Sequence, residues 1–166
     1  MQEITDYWGG WFAGLADGEA HFCITTRSHA NPSANYKCYF QINLREDDAK
    51  VLNELQRMLG MGTLTRISKR SDFNRNSMPQ SIFRVTAVEE CAKIVEIFEK
   101  YPLRSKKQRD FAIWKQAVAE LQKPVEQRNA DLLEYYFLKI KEVRQYEKQE
   151  ELERPTIKEM QITIKF

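Results

Sequence analysis

The stretch "WFAGLADGEAHF", Trp11–Phe22, carries glycines at a fixed interval: Gly10 just precedes it, and Gly14 and Gly18 follow at every fourth position. The patterning predicts a helix over about 4–18, with Thr5 or Asp6 available as N-cap. Each interior glycine costs a helix about 1 kcal/mol relative to alanine. Residues four apart share one helical face, so the three glycines make a stripe onto which another backbone can close. The chain has one such stripe, and its natural partner is the same helix in a second copy, paired about a two-fold axis. The predicted contact comprises Gly10, Ala13, Gly14, Asp17 and Gly18. Pairing there brings two helix ends together, each with Asp17 and Glu19, and carboxylates so placed repel unless a divalent cation lies between them. Glu19 is the metal candidate. For Asp17, capping the helix end is at least as good a reading.

Composition bounds the rest. A chain of 166 residues with 42% hydrophobic and 30% charged residues is expected to form one globular domain, 1–166, with a core over about 1–122 and a helical extension over about 123–166. No apolar run approaches a membrane span, and no leader is read at the start, so an intracellular protein without a membrane is expected. Cys23, Cys38 and Cys91 form no metal or disulfide pattern and read as reduced small hydrophobes. Net charge is only +2, but its distribution is uneven. Residues 20–45 and 63–84 together hold eight cations against one acid, whereas the remainder holds eighteen cations against twenty-three acids. Two concentrated basic segments point to a polyanionic partner.

From His21 the hydrophobic period changes from helical to two. Phe22 and Ile24 lie on one side of a strand, and Cys23, Thr25 and Arg27 on the other. After the turn-forming "SHANPSANY", alternation resumes with Cys38, Phe40, Ile42 and Leu44 inward and Lys37, Tyr39, Gln41 and Asn43 outward. A helix over "DDAKVLNELQRMLG" is expected to stop at Gly60. A second hairpin is expected from "GTLTRISKRS" and "QSIFRVTAV", with Phe83 and Val85 inward and Arg84 outward. A helix ends before Pro102, another spans "SKKQRDFAIWKQAVAELQ", and a charged helix runs from about Glu126 to Glu151. The order is α-β-β-α-β-β-α plus C-terminal helices, an α+β fold. The apolar terminus "PTIKEMQITIKF" has no assigned place.

"FAGLADGEAHF" resembles the motif of LAGLIDADG homing endonucleases, matching from Phe12 to Glu19 with Ala20 in place of a terminal glycine. "YFQINLREDD" leading to "LGMGTL", and "YPLRSKKQRDFAIWK" after the fourth strand, follow the same family's pattern in the same order. The resemblance implies a half-saddle whose antiparallel four-stranded sheet lies in the major groove of double-stranded DNA, with the motif helices paired at the centre of a homodimer. It implies that Glu19, with the backbone of Ala20 as a further donor, holds a catalytic Mg²⁺ or Mn²⁺, and that Asp17 stabilises the helix end. Glu in place of the commoner Asp at 19, and Phe in place of Leu at 12, are mild departures.

Phosphodiester hydrolysis needs an activated water, a neutralised phosphate oxygen and a stabilised leaving oxygen, which paired metal-bound carboxylates can serve. Lys106 and Lys107 are the candidate basic groups beside that centre. Counting back from Asp-Phe points to Lys107, counting from the preceding leucine points to Lys106, and the choice stays open. Base reading and phosphate contacts are expected from Arg27, Lys37, Tyr39, Gln41, Asn43, Arg66, Ser68, Arg70 and Arg84. Tyr39 reads equally well as a packing aromatic at the sheet edge. The resulting expectation is a site-specific homing endonuclease making a double-strand break in a long, roughly palindromic target for intron or intein mobility. Its alternatives are a maturase binding intron RNA and a cleavage-inactive DNA-binding protein of the same fold. Retained Glu19 and the lysine pair favour the enzyme.

Overall fold

The structure, a computed structural model, describes residues 4–28, 30–67 and 78–144. The motif segment forms helix α1, Asp6–Glu19, with Thr5 as its N-cap: the Thr5 hydroxyl accepts the Trp8 N–H at 3.3 Å. Strand β1, Ala20–Thr26, follows without a loop, because Ala20 leaves the helix in extended conformation. A short 3₁₀ turn at Pro32–Ala34 leads to β2, Tyr36–Arg45. Helix α2, Ala49–Leu59, ends where Gly60 adopts the left-handed conformation, φ 63°, that glycine tolerates. Strands β3, Thr63–Ile67, and β4, Gln80–Val85, precede α3, Val88–Lys100. Helices α4, Lys107–Gln122, and α5, Ala130–Arg144, complete the described chain. The expected α+β order is found. The last helix starts later than its charge pattern suggested, since Val125–Gln127 form a separate 3₁₀ turn and the Asn129 side chain accepts the Leu132 N–H at 3.0 Å. Its expected end at Glu151 and the segment 155–166 lie outside the described residues.

All four strands pair antiparallel in the order β1-β2-β4-β3. Period-two alternation gives the sheet two different faces. Phe22, Ile24, Cys38, Phe40, Ile42, Phe83 and Val85 turn toward the helices and are buried. Phe12 from α1, Phe98 from α3, and Phe111 and Trp114 from α4 close over them in one aromatic cluster, with ring centroids 4.9 Å apart for Phe12–Phe98 and 5.3 Å for Phe22–Trp114. Such pairs contribute about 0.5–1.5 kcal/mol each beyond their buried area. Cys38 and Cys91 are buried here, and burial raises both thiols, so they behave as small hydrophobes as expected. Helix α5 lies against β1 and α4, covering the side of an edge strand. No helix among the described residues is long and apolar enough to cross a membrane.

Candidate nucleic-acid interface and catalytic centre

The sheet face turned away from the helices carries a row of polar side chains across all four strands. His21 pairs with Gln41, Gln41 with Arg84, and Arg84 with Thr63. Cross-strand partners project to the same side, so these four groups form one band. Gln41 is nearly buried within it: its carbonyl oxygen accepts the Arg84 Nε–H at 2.7 Å, and its amide donates to Asn43 Oδ1 at 2.6 Å. The Arg84 guanidinium also lies over the Tyr39 ring, 4.9 Å from its centroid. The Tyr39 hydroxyl is raised above its ordinary value, first by its hydrogen bond with Cys23 and then by burial. Tyr39, Gln41, Asn43 and Arg84 thus stand together on the open face as anticipated, but already bonded to one another. Lys37 is exposed on the same face, opposite Thr25. Arg27 sits just beyond β1, where its N–H donates to the Asn35 carbonyl at 2.8 Å.

Arg66 departs from expectation. Register places Thr63 opposite Arg84 and Arg66 opposite Ser81, so Arg66 projects to the helix-bearing side. There its Nε lies 3.2 Å from Glu46, which also accepts the Ser81 hydroxyl at 2.5 Å. Arg66 therefore stands off the open face on which it was expected. Ser68 and Arg70 lie outside the described residues.

The two motif acids have separate surroundings. Asp17 accepts the Arg104 N–H at 2.9 Å and the Ser105 N–H at 2.9 Å, while the Ser105 hydroxyl donates to the Asp17 carbonyl at 3.1 Å. Burial opposes ionisation of Asp17, but the backbone N–H groups of Ser105 and Arg104 outweigh it and hold the carboxyl below its usual value. Asp17 thus joins α1 to the chain ahead of α4. Glu19 is exposed at the last position of α1. No basic residue occupies that last turn, so the negative end of the helix dipole adds to the carboxylate.

The lysine pair is brought to the same end by the Asp17 anchor. Lys106 precedes α4 and Lys107 is its first residue, with the Lys107 N–H donating to Ser105 Oγ at 3.1 Å. Burial and the cations Lys107 and Arg144 depress the His21 imidazole, against the pull of Glu19. The Asp17–Ser105 bond, with the Lys107 N–H on Ser105 Oγ, brings the start of α4 to the end of α1 that carries Glu19. His21 and Arg144 join the residues expected at this end; His21 is marked in the sequence as the first outward residue after the acid.

On α1, the glycine stripe lies open in the single chain. A Cβ built at Gly10, Gly14 or Gly18 meets nothing within 4 Å. Tyr7 and Trp11 flank the same face and are exposed, Tyr7 at 86%. Ala13 does not belong to it; it is buried in the chain's own core. Gly9, one residue before the stripe, meets the Tyr101 ring, at 2.3 Å from a would-be Cβ.

Comparison with known proteins places this arrangement. The sequence model of the LAGLIDADG endonuclease family matches residues 12–118. A probable intron-encoded endonuclease of Schizosaccharomyces pombe, Cox1-I1b, is 27% identical over 107 residues, which are 64% of this chain and 26% of the relative. Probable intron-encoded endonuclease 3 of Neurospora crassa is 29% identical over 110 residues, 64% of this chain and 19% of the relative. The chain therefore spans only about a fifth to a quarter of the length of these relatives. Among solved structures, the LAGLIDADG meganuclease I-AabMI bound to uncleaved DNA aligns at a TM-score of 0.57 and 26% identity over 69% of this chain and 36% of that one. Meganuclease I-SmaMI, bound to uncleaveable DNA, aligns at a TM-score of 0.65 over 85% of this chain and 45% of that one; at 21% identity it speaks for the fold alone.

Proposed function

The chain belongs to the LAGLIDADG endonuclease family, and on that premise we propose that it is a site-specific, divalent-metal-dependent DNA endonuclease acting as a homodimer on a roughly palindromic target. The observation that carries the reading is the division of labour between the motif acids. Asp17 is consumed by the Arg104 and Ser105 N–H groups, which tie the start of α4 and its Lys107 to the end of α1, while Glu19 at that end is left exposed.

The donor set suits a hard cation. A carboxylate and the carbonyls of a helix C-terminus are oxygen donors of the kind Mg²⁺ or Mn²⁺ prefers. Among the described residues no group of three or more His, Cys, Asp or Glu could hold a metal. Glu19 and the Ala20 backbone would accordingly hold the ion together with their counterparts from a second motif helix. The ion would supply charge neutralisation at the scissile phosphate. Lys107, set by the Asp17 anchor, adds a mobile positive charge close to the phosphate; Lys106 is its neighbour at the helix start. Arg84, Gln41, Tyr39, Asn43 and Lys37 face the groove. Arg84 and Gln41 exchange their mutual hydrogen bond for contacts to base edges, and Lys37 and Arg27 take phosphates. The open stripe of Gly10, Gly14 and Gly18 receives the second α1.

Incubation of the purified chain with a randomised DNA library tests this reading. Double-strand cleavage at a two-fold symmetric consensus with Mg²⁺, restored by Mn²⁺ after EDTA treatment, is the expected result. DNA binding without cleavage under every metal condition would leave a cleavage-inactive binder, and preferential binding of intron RNA a maturase.

A further inference from the structure

Arg144, the last described residue of α5, reaches back across the end of the β1 edge. Its Nε donates to Asp110 Oδ2 at 2.9 Å, and its terminal nitrogen donates to the Phe22 carbonyl. Asp110 belongs to the first turn of α4, the turn that opens with Lys107. Phe22 stands three residues beyond Glu19 on β1. The guanidinium also borders Cys23, on the open side of the sheet. Arg144 and Asp110 lie 34 residues apart, and Arg144 and Phe22 lie 122 apart, so no local tendency makes this junction.

The chemistry is demanding. Asp110 is 9% exposed, and a buried carboxylate without a partner is costly. A guanidinium offers five N–H groups in a fixed fork and can serve a carboxylate and a carbonyl at once, which an ammonium cannot do in the same geometry. Position 144 also lies beyond the family match at 12–118, so the general family pattern does not account for it.

We propose that Arg144 is a positioning residue: by bridging Asp110 on α4 to the Phe22 carbonyl on β1, it sets the Lys107 turn at its working distance from Glu19. This rests on the endonuclease reading. The Asp17–Ser105 bonds tether the lysine turn from the α1 side, and Arg144 tethers it from the β1 side. Two tethers from different directions fix an orientation that one leaves free. The C-terminal helix thereby gains a role at the catalytic centre without touching substrate.

The test uses the full chain carrying Arg144→Ala, Arg144→Lys or Asp110→Asn. Three quantities are measured: DNA affinity, single-turnover cleavage rate at saturating DNA, and amide exchange of Lys107, Gln108 and Arg109 in free protein. Misplacement of a reacting group lowers rate with little change in binding, so Arg144→Ala is expected to lose roughly tenfold to a hundredfold in rate at nearly unchanged affinity. Arg144→Lys, which retains charge and stem, is expected to rescue folding but not rate, and to show faster exchange in the α4 first turn. A wild-type rate at saturating DNA in Arg144→Lys overturns the inference. So does weakened affinity with a shallower salt dependence and an intact rate, which would make Arg144 a phosphate contact. Should wild-type protein cleave no DNA, the endonuclease reading fails on its own. The exchange measurement still decides the bridge: unchanged exchange in both Arg144 variants overturns it.

Discussion

Asp17 and Ser105 are joined twice: the Ser105 N–H donates to the Asp17 carboxylate at 2.9 Å, and the Ser105 hydroxyl donates to the Asp17 carbonyl at 3.1 Å. The bonds cross 88 residues and join the end of α1 to the start of α4. Acids two positions apart in one motif therefore do different work. Replacing Asp17 with Ala leaves the Arg104 and Ser105 N–H groups without their charged acceptor. Loss of about 1.5–3 kcal/mol in urea-denaturation stability is expected, the range for bonds to a charged group.

Glu19→Gln should separate stability from activity. The side chain is exposed at the helix end, so the amide should leave the unfolding free energy within about 0.5 kcal/mol of wild type. It removes the charge that a divalent cation would need. Cleavage is expected to vanish while DNA affinity persists. A variant that cuts at near wild-type rate would remove Glu19 from the metal site.

A buried carboxylate gives the C-terminal helix a pH dependence. Glu120 accepts the Lys123 ammonium at 2.7 Å and the Asn129 N–H at 2.7 Å, which joins the end of α4 to the start of α5. The Lys123 bond first, then the Asn129 bond, hold the Glu120 carboxyl below its ordinary value. A group depressed in the folded state binds fewer protons there than in the unfolded chain. Its contribution is therefore complete above the ordinary carboxylate pKa and is lost as pH falls through the depressed folded value. Acid titration of stability should show this loss in wild type and a flatter acid limb in Glu120→Gln. Identical acid limbs would detach Glu120 from the pH response.

Binding should depend steeply on salt if the open sheet face meets DNA. Each phosphate neutralised contributes a slope of about −0.9 in log affinity against log salt. Lys37→Ala should make the slope shallower by about one contact's worth and weaken all sequences alike. Arg84→Ala should instead relax preference at one or two positions, because Arg84 also holds Gln41 and stacks on Tyr39. Equal loss on every sequence for Arg84→Ala would assign it to the phosphates.

What could be read in advance was what local chemistry dictates. The Thr5 cap, the alternation along β2 and the stop at Gly60 each rest on a few neighbouring residues. The face of Arg66 was not legible because β3 has weak alternation of its own, "TLTRI", and takes its register from β4. Ala13 could not be distinguished from the glycines beside it until α1 was rotated onto the sheet by Phe12 and Ala16. Partners of Asp17, Gly9 and Arg144 lie 34 to 122 residues away, where spacing carries no signal.

Gly9 and Gly14 provide the sharpest contrast on α1. Both gain helix propensity when changed to Ala, by about 1 kcal/mol in the absence of other effects. At Gly9 the added methyl would stand 2.3 Å from the Tyr101 ring, whose hydroxyl donates to Asp6 at 2.9 Å. Gly9→Ala should therefore displace Tyr101 and destabilise the single chain, with overpacking costing about 1–3 kcal/mol. At Gly14 nothing lies within 4 Å, so Gly14→Ala should stabilise the isolated chain. If a second α1 closes on the Gly10, Gly14 and Gly18 stripe, Gly14→Leu should hold the two helices apart. Sedimentation is then expected to give a well-folded monomer without cleavage activity, against a wild-type dimer. A wild-type chain that sediments as a monomer while cutting an asymmetric site would show that the stripe serves some other contact. A Gly14→Leu chain that remains dimeric and active would move the dimer interface off α1 altogether.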